Sequence, residues 1–103
     1  MVAIRECIFL MADFVKQAIS PDSFYRFELP DTKFGRLGWA KAGLCPFHAD
    51  SRAGSFFINT ESGAYCCFSC GAKGGDIIAF TRERCGLSFS EALHKLAEDW
   101  GLS

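Results

Sequence analysis

No stretch of this chain approaches the ~20 consecutive apolar residues that a membrane-spanning helix requires, so an integral membrane helix is excluded. The apolar run near the start, Cys7 to Ala12, is short and bracketed by Arg5, Glu6 and Asp13, which is not the pattern of a secretory signal. Internal repeats, low-complexity tracts and long linkers are also missing, which leaves one small domain over residues 1–103. Charge of one sign is lacking too, at a net −1, and the total says little. Its distribution says more: residues 33–73 carry five basic against two acidic side chains, and the flanks are acidic. A mildly basic middle is compatible with a nucleic-acid face, although scattered charge is also the ordinary solvated surface.

Cysteine, by contrast, is well supplied, and its spacing organises the chain. Cys45-Pro46-Phe47-His48 and Cys67-Phe68-Ser69-Cys70 form C-x2-H and C-x2-C knuckles separated by 18 residues, enough for a hairpin that brings them together. Three thiolates and one imidazole make the closed tetrahedral set that structural zinc prefers. A disulfide framework would leave His48 without a role. Binding a structural zinc supplies on the order of 10–16 kcal/mol of apparent folding energy, a large contribution for a chain this small. A four-ligand zinc has no open position for water or substrate, so chemistry at the metal is not expected. Cys7, Cys66 and Cys85 are left over, and an odd surplus of thiols fits a reducing, cytoplasmic setting.

Periodicity places these knuckles among regular elements. Ile4, Ile8, Met11, Val15 and Ala18/Ile19 recur at helical spacing, so residues 3–19 read as an amphipathic helix that packs on the domain and ends at Ser20-Pro21-Asp22. The aromatic-rich residues 24–29 read as a strand, followed by a Pro30-Asp31 turn. Residues 33–40 read as a second strand loosened by Gly35 and Gly38. Residues 55–59 and 64–67 read as a hairpin turned at Glu61-Ser62-Gly63. Side chains alternate along a strand, so Cys66 and Cys67 face opposite ways. Cys67 gives the C-x2-C spacing and is the expected ligand, with Cys66 a neighbouring buried thiol. Phe56 and Ile58 share one face, Phe57 and Asn59 the other, and the sequence leaves open which face builds the core. The glycine-rich residues 71–75 precede Asp76, which can cap a helix over 77–85 that Gly86 ends. This loop lacks the spacing of a nucleotide-binding P-loop, though its amides and Lys73 suit a phosphate. Ser88-Phe89-Ser90-Glu91 is a capping box. It opens a last helix with Phe89, Ala92, Leu93, Leu96, Ala97 and Trp100 on one face and His94 on the polar side.

For a nucleic-acid partner, Arg36, Lys41, Arg52 and Lys73 are the candidate phosphate contacts, and Trp39, Phe57, Tyr65 and Phe68 the candidate base-stacking residues. For each aromatic taken singly, packing in a core is the commoner use.

The two knuckles, with Tyr65-Cys66 before the second and Gly71 after it, resemble the zinc-binding domain of bacterial DnaG-type DNA primases. The likeness continues through Gly74-Gly75-Asp76-Ile77-Ile78-Ala79-Phe80 and Gly86-Leu87-Ser88-Phe89-Ser90-Glu91-Ala92-Leu93, covering about residues 35–100. The resemblance implies an α+β zinc ribbon: a small antiparallel sheet with an N-terminal helix and two C-terminal helices. Residues 1–34 would form an N-terminal helix and strand, and residues 35–100 the ribbon core. It implies one structural Zn2+ held by Cys45, His48, Cys67 and Cys70. It further implies binding of single-stranded template DNA and help in starting an RNA primer during replication, with a separate primase catalytic subunit or a replicative helicase as partner. Two local departures stand out: Ala53-Gly54-Ser55-Phe56 where the family often has Pro-Ser-Phe, and Cys66 where it often has His. A primase also continues into a catalytic domain with clustered acidic residues, whereas no Asp-x-Asp occurs here, so this chain is not expected to polymerise primers alone. The alternative is a zinc-ribbon adaptor or inhibitor that docks on a helicase, polymerase or primase through its N-terminal helix.

Overall fold

Proline at residue 21 both stops one helix and starts another. In the computed structural model of the chain, which describes residues 4–30, 32, 37–48 and 54–102, helix α1 runs Ile4–Ala18 and α2 runs Pro21–Glu28. Ala12, Val15 and Ile19 are buried, so the stripe of α1 packs against the two C-terminal helices as expected.

Helix α2 replaces the strand expected over residues 24–29. Ser20 is its N-cap, with Oγ accepting from the Ser23 N–H, and Pro21 stands in the first turn, where a missing N–H costs nothing. Arg26 donates to Asp22 one turn back at 2.9 Å. The apolar residues follow a helical and not a two-residue period: Phe24 and Tyr25 are both buried while Phe27 is exposed. The N-terminal segment therefore supplies two helices, and the described residues hold four in all.

The described strands are β1 (Trp39–Lys41), β2 (Phe56–Asn59), β3 (Tyr65–Cys67) and β4 (Lys73–Gly74), antiparallel in the order β1-β2-β3-β4. Residues 33–36 of the expected second strand lie outside the described residues, and pairing begins at Trp39. Strand β4 stands inside the glycine-rich loop, where the sequence indicates only a turn.

Registry fixes which side chains share a face. Phe56, Ile58, Tyr65 and Cys67 point into the core. Helices α3 (Ile77–Cys85) and α4 (Phe89–Asp99) complete it with Ile77, Ile78, Phe80, Leu93 and Leu96. Their caps are as the sequence indicates: Asp76 accepts from the Ala79 N–H at 2.8 Å, Gly86 ends α3, and Ser88 and Glu91 form a reciprocal capping box. The core is aromatic. Phe80 sits edge-on to Phe24, Tyr25, Phe47 and Tyr65 with ring centroids 5.1–5.6 Å apart, the T-shaped arrangement that ring quadrupoles favour. Tyr25 is buried and donates its hydroxyl proton to the Gly63 carbonyl at 2.6 Å, tying α2 to the hairpin turn.

Candidate metal centre and outer sheet face

The two knuckles follow β1 and β3 and are both tied to the same end of β2. The Ala42 N–H bonds to the Phe56 carbonyl just before the first knuckle, and the Phe68 N–H bonds to the Ser55 carbonyl within the second. The second knuckle closes with the Gly71 N–H on the Cys67 carbonyl at 2.9 Å; Gly71 has φ +81°, a left-handed turn that suits glycine.

Cys45, His48, Cys67 and Cys70 converge so that one ligand atom from each lies within 4.8 Å of all the others. The Cys45 and Cys70 sulfurs are 3.8 Å apart. Tetrahedral zinc with Zn–S bonds of about 2.3 Å has ligand–ligand edges of about 3.8 Å, so the donor set and its spacing fit that ion. Cys45 and Cys67 are buried, His48 is half-buried and Cys70 is exposed. Burial pushes the Cys45 thiol up to about 12, against the lowering effect of the Phe47 N–H that lies 3.4 Å from its sulfur. Burial also acts to raise Cys67, but backbone N–H groups of Cys70 and Ser69 aim at its sulfur and bring it below the ordinary thiol value. Amide donors aimed at the Cys45 and Cys67 sulfurs offset part of the cost of holding thiolates there.

The centre is wedged against the core through Phe47, which lies between Cys45 and His48. Its ring stacks on Tyr65 at 5.3 Å and meets Phe80 and Phe56 edge-on. Tyr65 in turn covers Gly74, where an added Cβ would lie 2.5 Å from the tyrosine ring.

The opposite face of the sheet carries a cross-strand row. Lys41 pairs with Phe57, Phe57 with Cys66, and Cys66 with Lys73. Trp39 and Asn59 form the adjacent pair on the same face. Phe68 joins it, with its ring 5.6 Å from Phe57, edge-on and 79% exposed. Five expected contacts, Trp39, Lys41, Phe57, Phe68 and Lys73, thus share one surface. Arg36 and Arg52 lie outside the described residues.

Tyr65 does not belong to this set. It is 2% exposed on the core face, and its hydroxyl donates to the Glu83 carboxylate at 2.6 Å, so no base can stack on it. The signal was available in the sequence: Tyr65 is two residues before Cys67 and shares its inward face. By the same alternation Cys66 points outward. It is half-buried in the middle of the row and not a core thiol. Cys85 and His94 are exposed. Among the described residues no helix is long and apolar enough to cross a membrane.

Comparison with known proteins agrees with this architecture. Residues 30–103 match the CHC2 zinc finger family, the zinc ribbon of DnaG. A DNA primase from Thermotoga maritima is 43% identical over 67 residues, which are 65% of this chain and 12% of that protein. One from Deinococcus radiodurans is 47% identical over 60 residues, 58% of this chain and 10% of that protein. The chain therefore spans about an eighth or less of the length of these relatives. The crystal structure of the Aquifex aeolicus primase, comprising zinc-binding and RNA polymerase domains, superposes with a TM-score of 0.65 at 25% identity, covering 88% of this chain and 21% of that one. With the fold, the convergent ligand set and the match over most of its length in agreement, this chain belongs to the CHC2 zinc finger family and is a primase-type zinc ribbon that carries one zinc ion.

Proposed function

We propose that the chain binds single-stranded DNA with the outer face of its sheet, as the template-recognition part of a primase. The observation that carries this reading is the cross-strand row Lys41–Phe57–Cys66–Lys73 with Trp39 and Phe68 beside it. Lysines stand at both ends, the half-buried Phe57 lies between them with the exposed Trp39 and Phe68 beside it, and the face is turned away from the core. Unpaired bases stack on exposed rings at about 1–3 kcal/mol each, and ammonium groups track the phosphates. Cys45, His48, Cys67 and Cys70 hold the zinc. When bound, the ion supplies a rigid cross-link, and the chain's own residues then do the binding. Phe47 and Tyr65 keep the knuckles and the sheet in one packed unit, so the row is presented on a fixed frame. Nucleotide polymerisation and its substrates belong, in this reading, to a catalytic domain such as the one joined to the zinc-binding part in the Aquifex structure.

The test is binding of the zinc-loaded protein to labelled single strands across a salt series, beside a duplex of the same sequence. Preference for the single strand that weakens with salt, and loss of affinity on Lys41→Ala, Lys73→Ala or Phe68→Ala, support the reading. Equal binding by these variants and the parent refutes it.

One observation favours a second role alongside the first. Helix α1 buries Ala12 and Val15 but exposes Leu10 and Phe14, one turn apart, at 68% and 54%. That exposed pair suits contact with a helicase or a primase subunit. Substituting both with Gln tests it: the role predicts loss of co-purification with such a partner and unchanged DNA affinity.

A further inference from the structure

The positive path does not stop at the edge of the sheet. Lys73 lies in β4, the edge strand, and also lines a shallow cleft of about 430 Å³ between β4, α3 and the turn at Gly86. Arg82 forms part of the same cleft. Its Nε is 3.5 Å from the Leu87 carbonyl, a long contact that leaves the terminal guanidinium nitrogens for another acceptor. The cleft also holds one carboxylate, Glu83, which is held to the wall by the Tyr65 hydroxyl at 2.6 Å. Two cations therefore face one committed anion. The ring at this cleft is Tyr65, which is buried, so the site offers charge but no stacking platform.

We propose that this cleft is a second phosphate site: a single strand crossing the outer face continues over β4, and Arg82 binds a backbone phosphate beyond the one at Lys73. The inference rests on the single-strand reading of the outer face and adds a residue and a direction to it. Contact made by charge without a stacking ring carries no base preference. It adds affinity only for strands long enough to reach past β4.

The experiment uses the zinc-loaded chain and a ladder of labelled homopolymeric single strands of increasing length, with the parent, Arg82→Gln, Arg82→Lys and Lys41→Ala compared. Parent affinity is expected to rise with length to a plateau. Arg82→Gln should leave the shortest bound strands unaffected and weaken the plateau about three- to tenfold, as for one exposed charge-assisted contact. The salt slope at the plateau should fall by about 0.7, the value for one single-strand phosphate. Arg82→Lys should retain most of the plateau. Parent-like binding of Arg82→Gln at every length, or uniform weakening at all lengths, overturns the second site and leaves the outer-face reading intact. Failure of the parent to bind any strand, or parent-like binding of Lys41→Ala, overturns that underlying reading instead.

Discussion

Among the described glycines, Gly74 leaves the least room for a Cβ, which makes Gly74→Ala a sharp test of the packing. The Cβ would lie 2.5 and 2.8 Å from Tyr65 ring atoms and 2.8 Å from the Ala79 Cβ, closer than real Cβ contacts come. Tyr65 cannot swing away freely, because its hydroxyl is bonded to Glu83 and its ring is stacked on Phe47. Overpacking of this kind costs about 1–3 kcal/mol. A stretched tyrosine hydrogen bond adds about 1 kcal/mol, while the better backbone entropy of alanine returns about 0.5–1 kcal/mol. The expected net loss is about 1–3 kcal/mol. At about 4–8 °C per kcal/mol for a domain of this size, the melting temperature should drop by roughly 4–24 °C. Displacement of Tyr65 also reaches Phe47, which lies between two ligands, so zinc affinity measured by chelator competition should fall with stability. In a Tyr65→Leu background the same change should cost less. A Gly74→Ala protein that melts with the parent would refute the packing argument. Lost stability with unchanged zinc affinity would refute the coupling.

Cys67→Ser should reduce zinc content from one ion per chain to none and unfold the domain, as should a strong chelator acting on the parent; a folded, chelator-treated protein by circular dichroism would rule out a structural zinc. The Glu91 carboxyl is held below its ordinary value by hydrogen bonds from the Ser88 backbone N–H and side chain. A depressed carboxylate contributes stability that is complete above its unfolded pKa of about 4.3 and is lost as pH falls through the lower folded value. Where zinc stays bound, from about pH 6 to 8, the stability advantage of the parent over Glu91→Gln should therefore be constant, and an advantage that changes with pH across that range would contradict the depressed carboxylate. Phe68→Ala should change stability by no more than about 0.5 kcal/mol, because the ring is 79% exposed. Phe47→Ala should cost about 3 kcal/mol and weaken zinc binding, and equal melting curves for these two variants would show that the core does not run through Phe47.

What the sequence disclosed depended on how local the governing physics was. Both knuckles, the Asp76 cap and the Ser88–Glu91 box are fixed by spacings of three residues, and they stand where those spacings put them. Residues 24–29 misled because Phe, Tyr and Phe favour strands by propensity, whereas Ser20 capping, Pro21 in the first turn and burial against Phe80 decide for a helix. Strand β4 is too short to have a period. It exists because Gly74 lets the backbone approach beneath the Tyr65 ring, a long-range packing fact. The outer face was half legible: alternation from Cys67 assigns Tyr65 inward and Cys66 outward, but the place of Phe57 and the row that joins Lys41 to Lys73 need the registry of four strands.

The adjacency of Cys66 and Cys67 has a consequence for how the ribbon assembles. To a zinc ion the two thiols are chemically the same, and a nascent chain offers both. Sliding β3 by one residue would present Cys66 to the other three ligands and keep a full set of donors, so the ion alone is a poor proofreader of registry. The same slide would throw Tyr65 into water and put Ala64 in its place beneath Phe47 and Phe80. Correct alignment of the metal centre is thus policed by a tyrosine that never touches the metal. A chain weakened at that ring should lose fidelity of registry together with its zinc affinity.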